Sequence, residues 1–320
     1  METEPQIIEE PERGTWRISY WVRLLVGLIL LVLILNVVSV RDLVGAFRKA
    51  GLLYLLGALC LVVANIGVQI LKWSYMLRFL KSVSRKEMLA SFFFGITLGS
   101  FTPGQLGEYG GRAIHLPPRD WGTVLGLAAI DKLQMAGIMA LAGIFSIFIL
   151  YHVDSTLLLA LGVATSFLIL LLLLRFSLMH SFLMKLGIAK IKYAWVRQAA
   201  DSLFLFTRRD IAVTTVITVV FYTIVYLQLH LLLNAFQSVT PINSFLVYAA
   251  MMFSKTLLPL SIADLGIREF SLVYFASQIG ISSAAALASA ILLFFINIVL
   301  PALIGLFFVP ESMSISSTKR

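Results

Sequence analysis

Apolar and polar residues follow one another along this chain in long blocks, not in the short period of a surface helix or strand. About 20 consecutive apolar residues are needed for a helix to cross the hydrocarbon core of a bilayer. Six stretches read as such spans: 20–38, 52–70, 121–150, 155–174, 211–233 and 281–309. Two further apolar stretches, 88–116 and 243–280, are interrupted by glycine, proline and charge, and predict helix, break, helix instead of a simple crossing. Residues 195–209 mix apolar and charged positions in the manner of an interfacial helix. The predicted fold is all-α, a polytopic membrane protein with one transmembrane domain over 20–310 and short tails at 1–19 and 311–320.

Lysine and arginine in short loops set orientation, because they favour the cytoplasmic side. They are dense over 72–86 and 175–209 and absent from 151–154 and 235–243. With the basic loops inside, both termini are cytoplasmic; Arg41, Arg48 and Lys49 then fall outside, against the rule. Stretch 88–116 must start and end on the inner side, and stretch 243–280 on the outer side. Each is expected to be a re-entrant hairpin, a shape tolerated at membrane depth only where it packs in protein or lines a wet cavity.

The two hairpins look related. Leu106-Gly107 and Leu265-Gly266 lie 159 residues apart, and the same offset carries Leu52 to Ile211, Gln69 to Gln228, and Phe94, Thr97 and Leu98 to Phe253, Thr256 and Leu257. Span, hairpin and span thus recur in opposite orientation, repeat A over about 52–150 and repeat B over about 211–309. Inverted repeats of this kind place a binding site between the halves.

Composition sharpens this picture. The chain is 60% hydrophobic with a mean hydropathy of +0.96, well beyond a soluble domain, so its 320 residues count spans and not soluble domains. The net charge of +9 lies between apolar runs, which points to lipid headgroups and orientation instead of nucleic acid. One cysteine, Cys60, excludes a disulfide framework within the chain, and the four histidines have no zinc spacing. Phosphate-binding loops, dinucleotide fingerprints and nucleophile elbows are absent, so no enzyme, cofactor or metal is expected.

The candidate chemistry sits in the broken segments. Over 102–112, Pro103, Gly104 and Gly107 must break the helix as a backbone hinge, exposing amides and carbonyls. Glu108 and Arg112, at i and i+4, share one helix face; they either neutralise each other or form a headgroup site in which the guanidinium forks onto phosphate. The second hairpin carries the hinge Gly266 with Asp264, Arg268 and Glu269, each costing roughly 2.5–3.5 kcal/mol near mid-membrane unless the hairpin is shallow. Asp131 and Lys132 lie inside the 121–150 run, where they either mark its cytoplasmic end or join the site. Lys255 is a candidate counter-ion to Asp264 or Glu269. His115 and His230 are placed either to relay protons or simply to pack.

Thr102-Pro103-Gly104, Gly107-Glu108 and Arg112, followed by Asp131-Lys132 and then by Leu265-Gly266 and Glu269, resemble the lysylphosphatidylglycerol synthase transmembrane-region family over about residues 15–310. Members of that family often carry Glu-Arg where this chain has Asp131-Lys132, so the charge is kept and the fork is lost. The resemblance implies a lipid translocase, flippase-like, in the inner membrane, without the acyltransferase-like domain of the synthases. It also leaves open a non-transporting partner of a glycosyltransferase or other lipid-modifying enzyme. The implied ligand is an anionic or aminoacylated phospholipid, or a polyprenyl-linked lipid, bound by Glu108, Arg112, Asp131, Lys132, Lys255, Asp264, Arg268 and Glu269. A homodimer is equally compatible with the sequence.

Overall fold

The computed structural model describes residues 40–80, 83–102, 104–151, 155–157, 160–165, 168, 193–258 and 264–309. Among them there is helix and no strand. In chain order the labelled helices are α1 (Val40–Arg48), α2 (Leu52–Leu77), α3 (Arg85–Ser100), α4 (Gly107–Ile114), α5 (Trp121–Leu150), α6 (Ala194–Asp201), α7 (Arg208–Phe236), α8 (Pro241–Leu257), α9 (Ile267–Ser277) and α10 (Ser283–Phe294). Helix α10 runs through a π turn (Phe295–Val299) into α11 (Leu300–Gly305). Four helical stretches among the described residues are long and apolar enough to cross a membrane: Leu52–Leu77, Pro118–Leu150, Arg208–Phe236 and Ser283–Phe308. They answer to four of the six expected spans. The span at 20–38 lies outside the described residues, as do both tails and much of 155–174.

One boundary differs in a way that matters. The apolar run at 52 stops at 70, and the sequence reading assigns Lys72 to a basic loop. The helix continues to Leu77, and Lys72 is buried inside it. A charge ends an apolar run on paper, but it does not end a helix whose backbone is still bonded and whose side chain has a buried partner.

The broken stretches each form two short helices that fold back on one another: α3 on α4, and α8 on α9. Ser84 starts α3 with a reciprocal cap, its hydroxyl and amide donating to Glu87 while the Glu87 amide donates back to Ser84 Oγ. Those hydrogen bonds hold the exposed Glu87 carboxyl below its usual range. The α3–α4 crossing is set by glycine. A Cβ on Gly111 would lie 2.8 Å from Gly95 Cα and 2.9 Å from the Phe94 carbonyl oxygen, and neither backbone atom can yield. A Cβ on the neighbouring Gly110 would meet nothing within 4 Å. Gly111→Ala is therefore expected to destabilise by about 1–3 kcal/mol through overpacking. Gly110→Ala should be neutral or stabilising by up to about 1 kcal/mol. Thermal denaturation of the two variants in one detergent checks the contrast; equal melting shifts would reject it.

Two apolar cores flank the middle of the molecule. One joins α2, α7, α8, α9 and α10 around Leu229, Leu233, Met251 and Leu272. The other joins α2, α3 and α5 with Phe206 and Ile211, around Trp73, Met76, Phe92 and Leu127. Helix α6 lies along α5, where Gly122 and Gly126 make room for the Gln198 side chain and the Ala199 backbone. The polar site lies between these cores.

Candidate functional site

A cavity of about 320 Å³ opens between the helices. Its wall takes residues from α2, α3, α4, α5, α7, α8, α9 and the π turn, so both hairpins and all four long helical stretches contribute.

Charge is concentrated on one side. Arg112 of α4 is held by three neighbours: it pairs with Glu108 one turn earlier, its Nη1 donates to Asp131 Oδ2 at 3.1 Å, and its guanidinium lies 4.3 Å over the Trp73 ring. Lys72 Nζ reaches the other Asp131 oxygen at 2.5 Å. Lys132 pairs with the other Glu108 oxygen and donates to Gln105 Oε1 at 3.3 Å. Local packing fixes this arrangement: Trp73 donates to Ser91 Oγ at 3.3 Å, and Ser91 donates to the Arg112 carbonyl at 2.6 Å, tying α2, α3 and α4 together. In this five-residue cluster three cations face two carboxylates. Glu108, Asp131, Arg112 and Lys72 are all buried. Every one of these charges has a partner, and the cluster as a whole keeps one net positive charge beside the cavity.

The second hairpin supplies a smaller, balanced set. Lys255 Nζ lies 2.7 Å from Asp264 Oδ2, and Gln105 Nε2 donates to that same oxygen at 3.2 Å. Gln105 therefore bridges the hairpins, holding Lys132 on one side and Asp264 on the other. Gln105 and Asp264 have φ of 57° and 58°, and among the described residues they are the non-glycines with positive φ. Such torsions are costly and persist where surrounding structure enforces them, often at working sites. Arg268 lines the cavity, packs over the Phe294 ring at 4.7 Å and pairs with Glu269.

The structure thus gathers seven of the eight predicted binding residues onto one cavity wall: Glu108, Arg112, Asp131, Lys132, Lys255, Asp264 and Arg268. Glu269 stands behind it. One of its oxygens accepts from the Gly266 amide at 2.7 Å and caps α9, while the other takes Arg268. Of the hinge residues, Gly104 (φ 56°) and Gly266 (φ 84°) use torsions that favour glycine, and Pro103 lies outside the described residues. Gly107 is a different case. It begins α4 without positive φ, and its need is space, since a Cβ would sit 2.4 Å from the Leu98 carbonyl oxygen. His115 packs edge-on to Phe94 and His230 hydrogen-bonds Ser244; neither lines the cavity.

Wall residues that sequence reasoning did not assign to the site include Lys72, Gln105, Asn65, Gln69 and Asn297. For the last three, an amide inside a strongly apolar run was the available signal.

The family model described as the lysylphosphatidylglycerol synthase TM region matches residues 20–305. That span covers helices α1 to α11 and the whole cavity wall. A search of curated proteins returned no match.

Proposed function

The chain belongs to the lysylphosphatidylglycerol synthase transmembrane-region family, and from that premise we propose that it is a lipid translocase, flippase-like, that binds an anionic headgroup in this cavity and carries it across the inner membrane. The observation that carries the reading is the cluster in which Lys72, Arg112 and Lys132 face only Glu108 and Asp131. A phosphate would take the place of the missing third carboxylate, with Arg112 and Lys132 pre-set by their neighbours. The wall carboxylates are already engaged: Glu108 by Arg112 and Lys132, Asp131 by Lys72 and Arg112, Asp264 by Lys255 and Gln105. This favours an anion over an amine as the group recognised.

The mechanism rests on an inverted repeat of two re-entrant hairpins within six spans, both termini cytoplasmic. Supporting it, the order long helix, hairpin, long helix occurs twice, as α2–α5 and as α7–α11. Gln105 and Asp264, 159 positions apart, share the same backbone torsion and touch. Gly143 of α5 leaves room for Phe253 of α8, much as Gly305 of α11 leaves room for Phe93 and Thr97 of α3. In this scheme the hairpin tips meet at Gln105–Asp264 and part alternately to admit the headgroup from either side.

Lys72→Met tests the charge argument with little structural disturbance, because Asp131 keeps Arg112 while the cluster becomes neutral. In reconstituted vesicles, movement of fluorescent anionic phospholipid is expected to fall at least tenfold. Unchanged movement, or none in wild type for any anionic lipid, would remove the proposal.

A further inference from the structure

A run of amides, Asn65 and Gln228 buried and Gln69 and Asn297 half-buried, crosses the middle of the molecule and takes no part in the charged cluster. Gln69 Nε2 donates to Asn65 Oδ1 at 2.9 Å, and Asn65 Nδ2 donates to Asn297 Oδ1. Asn297 Nδ2 then donates to Gln228 Oε1 at 3.0 Å, and Gln228 Nε2 reaches the Ala58 carbonyl at 3.4 Å. All four donations run one way. Gln228 is fully buried behind the wall, while Gln69, Asn65 and Asn297 line the cavity. Asn297 is presented from the π turn Phe295–Val299, an insertion that often marks a working site in a helix.

The direction of the chain decides its chemistry. Each donation makes that amide's own oxygen a better acceptor, because hydrogen bonds in series polarise one another. The last oxygen of the series, Gln69 Oε1, makes no hydrogen bond to the described residues and belongs to the cavity wall. It calls for a donor. An ammonium is disfavoured there, because Lys72 lies three residues on along α2, within about 5–6 Å on the same helix face. A neutral hydroxyl fits, since it donates to Gln69 Oε1 and can accept a second N–H from the wall amides.

We propose that Gln69, Asn65 and Asn297 form a second subsite that selects headgroups bearing hydroxyl groups next to the phosphate, a polyol or sugar phosphate, over phosphates lacking them. This rests on the anion reading of the charged cluster and adds a specificity that the cluster alone does not supply.

The test compares two phosphate monoesters of equal charge, glycerol phosphate and methyl phosphate, binding to the purified full-length protein by calorimetry. Wild type is expected to prefer glycerol phosphate by roughly three- to tenfold, the worth of one neutral hydrogen bond. Gln69→Met should erase that ratio and leave methyl phosphate affinity within about twofold. Gln69→Asn, which keeps an uncharged acceptor oxygen and an N–H donor, should retain a preference, and it covers the case in which the methionine variant does not fold. Phosphatidylglycerol and phosphatidylmethanol in nanodiscs repeat the comparison, separating a lipid headgroup from a free phosphate. If wild type binds both esters equally, or Gln69→Met keeps the preference, the amides are only a fastening between helices and the subsite is rejected. If neither ester nor either lipid binds wild type, the anion reading itself has failed.

Discussion

Arg112→Ala is expected to abolish movement of labelled anionic lipid in reconstituted vesicles, to the level of empty vesicles, and to lower stability by about 3–5 kcal/mol. The size follows from what Arg112 holds. It bonds Glu108 and Asp131 together and lies over Trp73, all in buried surroundings. Removing it leaves two carboxylates sharing two lysines, with Glu108 keeping Lys132 and Asp131 keeping Lys72. The cluster becomes neutral and the excess positive charge is gone. Arg112→Lys separates the two effects: it keeps the charge but cannot fork onto both carboxylates, so stability should partly recover while lipid movement stays low. Thermal denaturation in detergent together with the vesicle assay reads both. Full activity in either variant would contradict the assignment of Arg112 to the headgroup.

Asp131→Asn should act in the opposite direction on binding. Asp131 satisfies Lys72 with one oxygen and Arg112 with the other. Neutralising it leaves three cations facing Glu108 alone, so the cavity should hold methyl phosphate at least tenfold more tightly. The same excess should slow release, and with it lipid movement. The protein without anion should melt lower than wild type, and saturating phosphate should recover most of the loss, since a ligand that binds only the folded state stabilises it by mass action. Melting curves at increasing phosphate measure this directly. A variant that loses stability and gains nothing from phosphate would show Asp131 to be a packing residue, not a counter-charge to the site.

Much of this site is legible in the sequence. Glu108 and Arg112 were placed on one face by their spacing alone, because helical neighbours at i and i+4 meet whatever surrounds them. The glycines and Pro103 located the first break, and three charges in six residues marked the second hairpin. Lys72 was missed for a definite reason: lysine near the end of an apolar run ordinarily marks the interface, and only the carboxylate of Asp131 makes it stable inside. Glu269 lies behind the wall for the converse reason, since its cap on Gly266 depends on a backbone turn that composition does not report.

The sequence by itself determined that the chain is helical and membrane-embedded, where its long helices run, and that its breaks carry charge. Each of these depends on local hydropathy, propensity and spacing. Only the tertiary structure decided that Gln105 meets Asp264 across 159 residues, and Asn65 meets Asn297 across 232. Such contacts depend on how each helix is rotated and crossed against its neighbours. In a chain this apolar, many rotations bury similar surface, and local pattern does not distinguish them. What distinguishes them is the pairing of the few buried polar groups, since in the chosen packing each charge of the cluster finds a partner and the excess positive charge opens on the cavity.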